Sequence, residues 1–432
     1  MRTRTPKGTQ DYYFEYMEER SYIENRIRRN FELWGFKEIR TPTFEYFDSL
    51  STGTGSELRE SMFRFEDKSG RLLALRAEMT SPIARVVATE LRSHPLPMRL
   101  YYLANMFRYE EPQSGRQREF WHAGVELIGS SLPDADAEVI ALFITSLKSV
   151  GLKDLSVELG HVGLFKSIVK EAGISLEEAA AIRRSIDKND EAGLENALKE
   201  VDISASMKDV FRLLPNLRGD FSVTEKLLDK VKNDEIEACV KNISDIINFL
   251  KQYNFDSMVK VDLGIVRGID YYTGAVFEGF VKDLGIAIGG GGRYDGLVGQ
   301  FGGESFPATG FAIGVDRCHL ALRKQGFNFP LKKSPQVLVL YTDQALKGEA
   351  IKISINLREY GIPTETDILE RKLSKGLEHA NKRGIPYVLI VGKKEIEQEE
   401  VVIRNMEKET QEKVKISQLK NYFQGAIEPL AR

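Results

Sequence analysis

Phe107-Arg-Tyr-Glu-Glu-Pro-Gln-Ser-Gly-Arg-Gln-Arg-Glu-Phe-Trp-His-Ala-Gly-Val-Glu126 reads as two extended runs joined by a polar loop. Met106 to Arg108 leads in, Glu110-Glu-Pro-Gln-Ser-Gly115 turns the chain, and Gln117 to Leu127 returns, which predicts an antiparallel hairpin. Arginines on both arms suit phosphate and carboxylate oxygens, because a guanidinium is a planar fork of donors. Phe120 on the return arm offers a face for a purine ring. Taken alone, the same residues equally describe an exposed hairpin of alternating charge.

Working outward, Glu18 to Leu33 carries Tyr22, Ile27 and Phe31 among charges and predicts an amphipathic helix closed by Gly35. Phe36 to Phe47 alternates and contains Pro42, so it reads as an extended edge or a kinked strand. Leu72 to Leu75 and Arg99 to Ala104 read as further strands, with a helix after Thr80. From His161 to Phe255 the only proline is Pro215, and Ile236, Val240, Ile243, Ile247 and Leu250 fall on one helical face, which predicts a mostly helical insertion. Glycine-rich strand sequence resumes from Val259 to Val315. Beyond the linker Asn328-Phe-Pro-Leu-Lys-Lys-Ser-Pro335, strand-like runs alternate with helices, one bearing Ile351, Ile355 and Leu357, as in a small α/β domain. The expected domains are 1–160, 161–255, 256–327 and 335–432.

Composition sets wide bounds. At roughly 150 residues per domain, 432 residues allow about three domains, and 42% hydrophobic with 29% charged residues is ordinary for a globular protein. No apolar run approaches bilayer length, and no secretory signal is visible, so a cytoplasmic protein with no membrane role is expected. The net charge of −3 gives no global basic signature, although a local patch can still hold RNA phosphates. Cys239 and Cys318 cannot form a disulfide framework or a zinc cluster by themselves and are expected to be buried thiols.

Three further stretches carry chemistry. In Leu75-Arg-Ala-Glu-Met-Thr80, Glu78 and Thr80 can face one ligand such as an α-amino group, or merely cap a helix. Val266-Arg-Gly-Ile-Asp-Tyr-Tyr-Thr-Gly274 sets Arg267 between apolar runs, where a buried arginine needs a partner such as a substrate anion, or else faces outward from an edge strand. Gly289-Gly-Gly-Gly-Arg-Tyr-Asp-Gly296 reads as a glycine turn that lets backbone approach a ligand, and it leads on to Ala308 through Arg317. That glycine run is neither a P-loop nor a dinucleotide fingerprint, since the Lys-Ser/Thr ending and the βαβ context are absent.

In order and spacing these blocks resemble the histidyl-tRNA synthetase family over nearly the whole chain. Phe107 to Glu110 and the following loop are similar to class II motif 2, and Gly310 to Arg317 to motif 3. Phe36 to Phe47 resembles motif 1, and Pro6-Lys-Gly-Thr-Gln-Asp11 the family's start. Val266 to Tyr272 and Gly291-Gly-Arg-Tyr-Asp-Gly-Leu297 resemble the two histidine signatures. The resemblance implies an α+β fold: a class II antiparallel sheet flanked by helices, a helical insertion, and a C-terminal α/β anticodon-binding domain. It implies activation of histidine with ATP and Mg²⁺, transfer to histidine tRNA, a homodimer, and neither zinc nor an organic cofactor.

Carried over residue by residue, Arg108 grips the α-phosphate and the carboxylate, and Arg317 clamps the outer phosphates. Arg116 reaches the phosphates, Phe120 stacks on adenine, and Glu110 accepts from its amino group. Arg267 is the catalytic arginine. Histidine is contacted by Glu78, Met79 and Thr80 on its amino side, and by Glu126, Tyr271, Tyr272 and Tyr294 together with Arg108, His122 and Arg267. The sequence departs from the pattern at Ala77, where proline is common, at His122, where glutamine is usual, and at Asp316, where glutamate is usual. An ordinary imidazole pKa of about 6.5 would let a neutral, hydrogen-bond-accepting His122 lose function on mild acidification; the other reading turns His122 away from the pocket to pack beside Trp121 or the hairpin loop. The alternative is the synthetase-like regulatory subunit of ATP phosphoribosyltransferase, which typically degrades the arginine motifs and lacks the C-terminal domain.

Overall fold

The hairpin is longer than its alternation suggested: Met98–Phe107 pairs antiparallel with Glu119–Ile128 in register Ala104↔His122 and Leu100↔Glu126. In the computed structural model, which describes residues 3–111, 117–266, 271–282, 284–331 and 335–426, this pair belongs to a large sheet. Among the described residues the sheet runs Lys37–Glu38, Met98–Phe107, Glu119–Ile128, Ala308–Gly314, Ala287–Arg293, Ala275–Val281, Leu155–His161, Val259–Asp262, Arg218–Gly219. Among the described residues of this sheet, only the Lys37–Glu38 and Val259–Asp262 pairings with their longer neighbours are parallel.

The motif 1 stretch is kinked as expected. Lys37–Glu38 closes one edge of the large sheet, and Phe44–Tyr46 crosses to a small sheet with Leu72–Leu75 and Arg64–Glu66. The glycine run is a correction: Ala287–Arg293 is a strand inside the sheet, not a turn. With a side-chain period of two, its glycines divide between faces. Gly289 lies against the Phe143 ring of helix Pro133–Ser149, whereas Gly290 and Gly292 share the opposite face with Gly310, Ala312, Gly124 and Glu126 through cross-strand pairing. That helix begins with Pro133 in its first turn and is buried on nearly every side, as a helix behind a sheet must be.

Helix Glu15–Leu33 buries Ile23, Ile27 and Phe31, a four-residue repeat, so Ile23 and not Tyr22 completes the inward stripe. Helices occupy most of 162–252, and both flanking strands, Leu155–His161 and Val259–Asp262, are laid into the large sheet. The last of these helices, Asp234–Gln252, starts on Asn233, whose side chain accepts from the Ile236 N–H at 2.9 Å, and has Asp234, Glu235 and Glu237 in its first turn. Its buried line passes through Cys239 and Ile246, and Ile247 is only half-buried.

The chain forms two compact units, Met1–Phe329 and Pro330–Arg432. In the second, a sheet in the order Thr364–Thr366, Val337–Tyr341, Tyr387–Val391, Glu400–Asn405, Thr410–Lys415 is covered on both faces. Alternation in VLVLY explains why. Val337, Val339 and Tyr341 pack with Ala350, Ile353, Leu357 and Phe423, while Leu338 and Leu340 pack with Ala380 and Ile385. Of the apolar residues named on helix Lys347–Glu359, Leu357 is buried together with Ile353, whereas Ile351 and Ile355 are 44% and 46% exposed. Among the described residues no helix is long and apolar enough to cross a membrane. Both cysteines are buried.

Candidate active site

The strand period that builds the hairpin also aims its chemistry. Phe120, His122, Gly124 and Glu126 project from one face, beside Gly310, Ala312 and Gly314 of the next strand. The floor there is nearly bare backbone. At Gly310 an added Cβ would overlap the Glu126 carboxylate, and at Gly124 it would meet the Tyr102 hydroxyl.

One end of this face is acidic. Glu126 is 1% exposed, accepts the Thr80 hydroxyl at 2.8 Å on Oε1, and accepts the Tyr294 hydroxyl on Oε2. Burial pushes its carboxyl up to about 8; the two hydroxyl donors oppose that shift, and the nearby Glu78 adds to it. Glu78 is buried as well, and its oxygens accept the Thr80 N–H at 2.5 Å and the Ser81 N–H at 2.9 Å. It therefore caps helix Thr80–Thr89, as one reading of this stretch had it, and stands beside Tyr271. Tyr271 donates to Glu78 at 3.5 Å, and its ring stands edge-on to Tyr272 and Tyr294. Burial, then Glu126 and Glu78, holds the Tyr272 phenol above its ordinary range. Met79 turns its side chain into the core, where its sulfur accepts from Thr41 at 3.7 Å.

The other end is basic. The Arg108 guanidinium donates from Nε to the Ala77 carbonyl at 2.9 Å and lies 5.4 Å from the Phe120 ring centre. Arg317, in the first turn of helix Val315–Lys324, reaches back to the Ala287 carbonyl at 2.6 Å. Between them His122 stacks edge-on to Phe120, 5.0 Å between centres. Glu110 is anchored through its backbone, its carbonyl accepting from Arg118 Nε at 3.0 Å. Arg116 and Arg267 lie outside the described residues.

His122 corrects an expectation. Burial first, then Arg108 and Arg317, lowers its imidazole to about 3, so it stays neutral at any pH an assay would use. A depressed pKa places the charged form below that value, far from mild acidification. Wild type and His122→Gln should accordingly show superimposable dependence of the histidine KM on pH between about 5.5 and 8. A steeper acid rise in wild type, measured by steady-state exchange, would show that the imidazole titrates after all.

Several residues escaped sequence reading. Tyr102 joins the pocket face because it pairs with Gly124, and strand alternation counted back from Met106 would have found it. Arg293 is structural: 6% exposed, it donates from Nε and Nη2 to Asp136 at 3.0 and 2.8 Å and fixes the strand to helix Pro133–Ser149. Asp316 accepts the Trp121 N–H at 3.0 Å and the Tyr16 hydroxyl at 3.2 Å, tying the motif 3 helix to the hairpin. The shorter carboxylate thus works as a brace.

A chain of this geometry matches known proteins along its length. Residues 8–318 match the family model described as histidyl-tRNA synthetase. The chain belongs to the histidyl-tRNA synthetase family. Residues 336–425 match the anticodon binding domain family. The histidine–tRNA ligase of Pyrococcus furiosus is 41% identical over 98% of both chains, and that of Methanocaldococcus jannaschii 40% identical over 96% of this chain and 98% of its own. The apo histidyl-tRNA synthetase of S. aureus superposes with TM-score 0.70 at 26% identity, covering 98% of this chain and 100% of that one. A Bacillus halodurans structure titled ATP phosphoribosyltransferase regulatory subunit/histidyl-tRNA synthetase gives 0.78 at 28%, covering 90% and 98%. The α+β class II fold and histidine–tRNA ligase activity follow from family membership, with histidine, ATP and tRNA as substrates, and the regulatory-subunit alternative is less supported.

Proposed function

We propose that the split charge of the hairpin face assigns the reacting groups. The carrying observation is that Glu78 and Glu126 stand at one end of a glycine-floored surface while Arg108 and Arg317 stand at the other. Histidine is a zwitterion with a basic ring, so its ammonium and imidazole suit the acidic end and its carboxylate the basic end. Glu78 and Thr80 hold the α-ammonium, and Glu126 with Tyr272 holds the ring nitrogens, backed by Tyr271 and Tyr294. A pocket that pairs both nitrogens rejects apolar isosteres, since its own polar groups would be left unsatisfied.

Attack of the carboxylate on the α-phosphorus brings two anions together, and charge grows on the phosphoryl oxygens. Arg108 screens both anions during that approach, and Arg317 takes the outer phosphates. Phe120 stacks on adenine beside Glu110, Arg116 adds a phosphate contact, and Arg267 serves as the catalytic cation. Mg²⁺ enters as the counter-ion of ATP. The helical stretch 161–255 acts as an insertion between the two parts of the catalytic core, 1–160 and 256–327, and 335–432 reads the anticodon. The exposed aromatic face of the small sheet, with Phe44, Tyr46 and Phe65 between 40% and 52% exposed, supports a homodimer.

ATP–pyrophosphate exchange across the amino acids tests the assignment. Histidine alone should support exchange, and equal exchange with threonine or glycine would remove the assignment of the pocket.

A further inference from the structure

Arg76 is 5% exposed, yet the hydrogen bonds of its guanidinium go to neutral acceptors on two separate segments. Nε donates to the Asn105 carbonyl at 2.8 Å and Nη2 to the Asn105 side-chain oxygen at 2.7 Å. Nη1 donates to the carbonyls of Thr41 at 3.1 Å and Pro42 at 3.4 Å. Burying a cation on neutral acceptors is unfavourable compared with filling the same space by an apolar side chain. What the guanidinium adds is a rigid fork that spans both segments at once, which an ammonium cannot do.

The backbone around Arg76 continues the clamp. Its N–H donates to the Thr43 carbonyl at 3.0 Å, and its carbonyl accepts from Phe107 N at 3.0 Å. The next carbonyl, that of Ala77, receives Arg108 Nε at 2.9 Å, and Glu78 follows directly. Asn105 extends the connection across the hairpin by donating to Glu119 at 3.0 Å, beside Phe120.

We propose that Arg76 is a positioning residue for adenylate formation: by clamping the motif 1 stretch to the end of the Met98–Phe107 strand, it fixes the Ala77 carbonyl that aims Arg108. The spacing between the anion-holding arginine and the Glu78–Thr80 amine site is set by this clamp and not by the pocket residues themselves. The proposal rests on the anion-gripping role given to Arg108.

A double-mutant cycle in the full-length protein separates positioning from general stability. Arg76→Met should lower kcat of pyrophosphate exchange by about ten- to a hundredfold, the scale of a reacting group misplaced by an ångström. The histidine KM should move by less than about threefold. In an Arg108→Ala background the same change should add less than about threefold, because the group it positions is gone. Equal losses in both backgrounds would overturn the proposal, as would wild-type exchange in Arg76→Lys, which keeps the charge without the fork. Should Arg76→Met melt below the assay temperature, Asn105→Ala removes the side-chain acceptor of Nη2 and the donor to Glu119, keeps the Asn105 carbonyl, loses less packing and runs through the same cycle. Near wild-type exchange in Arg108→Ala alone would instead overturn the role of Arg108, a separate and recognisable result.

Discussion

Glu126→Gln should cut kcat/KM for histidine activation by about a hundredfold or more while making the folded protein more resistant to unfolding at alkaline pH. The first effect follows from the loss of a carboxylate that can trade a proton with an imidazole, in a buried site where such pairs contribute about 2–5 kcal/mol. The second follows from linkage. The folded carboxyl titrates near 8, above its ordinary 4.5, so the folded state holds a proton that the unfolded chain releases. Its contribution to stability is fully present below about 4.5 and is lost as pH rises through about 8. Glutamine does not titrate, and the Thr80 and Tyr294 hydroxyls can rotate to satisfy it. The stability advantage of the variant should therefore grow between pH 5 and 8.5, reaching on the order of 2–4 kcal/mol. Denaturation at the two pH values checks it; an unchanged difference would mean that Glu126 is already ionised in the free protein.

A fragment ending at Phe329 should retain histidine-dependent pyrophosphate exchange within a few-fold, because the acidic and basic ends of the site both lie in the first compact unit. Its kcat/KM for tRNA should fall by about 10²-fold or more, the loss expected when one of two linked binding modules is removed. Aminoacylation of histidine tRNA at limiting tRNA concentration reads this out. Undiminished charging by a folded fragment would show that residues 335–432 have another task.

The hairpin and the α/β character of the C-terminal unit were legible because alternation and helical repeats are local signals. Which side of a helix faces the protein was not. Ile247 and Ile351 satisfy a helical wheel as well as Ile246 and Ile353 do, and only the position of the sheet chooses between them. The site was legible as motifs and illegible as a geometry. Tyr294 meets Glu126 across 168 residues of sequence, and Arg293, inside a histidine signature, proved to hold Asp136. The glycine run was misread as a turn because glycine weakens any strand; here Gly289 clears the Phe143 ring on one side, and Gly290 and Gly292 leave bare backbone on the other. His122 shows the electrostatic version of the same limit, since burial in the folded chain, and then Arg108 and Arg317, hold its imidazole neutral.

The borders of the large sheet and of the five-stranded C-terminal sheet bear on how the protein behaves at high concentration. Among the described residues the large sheet ends on both sides in strands of two residues, Lys37–Glu38 and Arg218–Gly219. In the smaller unit one border, Thr364–Thr366, has its Thr364 carbonyl covered by Arg358 at 3.1 Å. The other border, Thr410–Lys415, carries Glu412, Lys413 and Lys415 and is exposed along most of its length. Short, covered or charged borders are poor templates for a strand from another molecule. At these four borders runaway β-stacking between neighbours is disfavoured by construction, whereas the small sheet of the first unit is bordered by Phe44–Tyr46 and Arg64–Glu66, which expose Phe44, Tyr46 and Phe65.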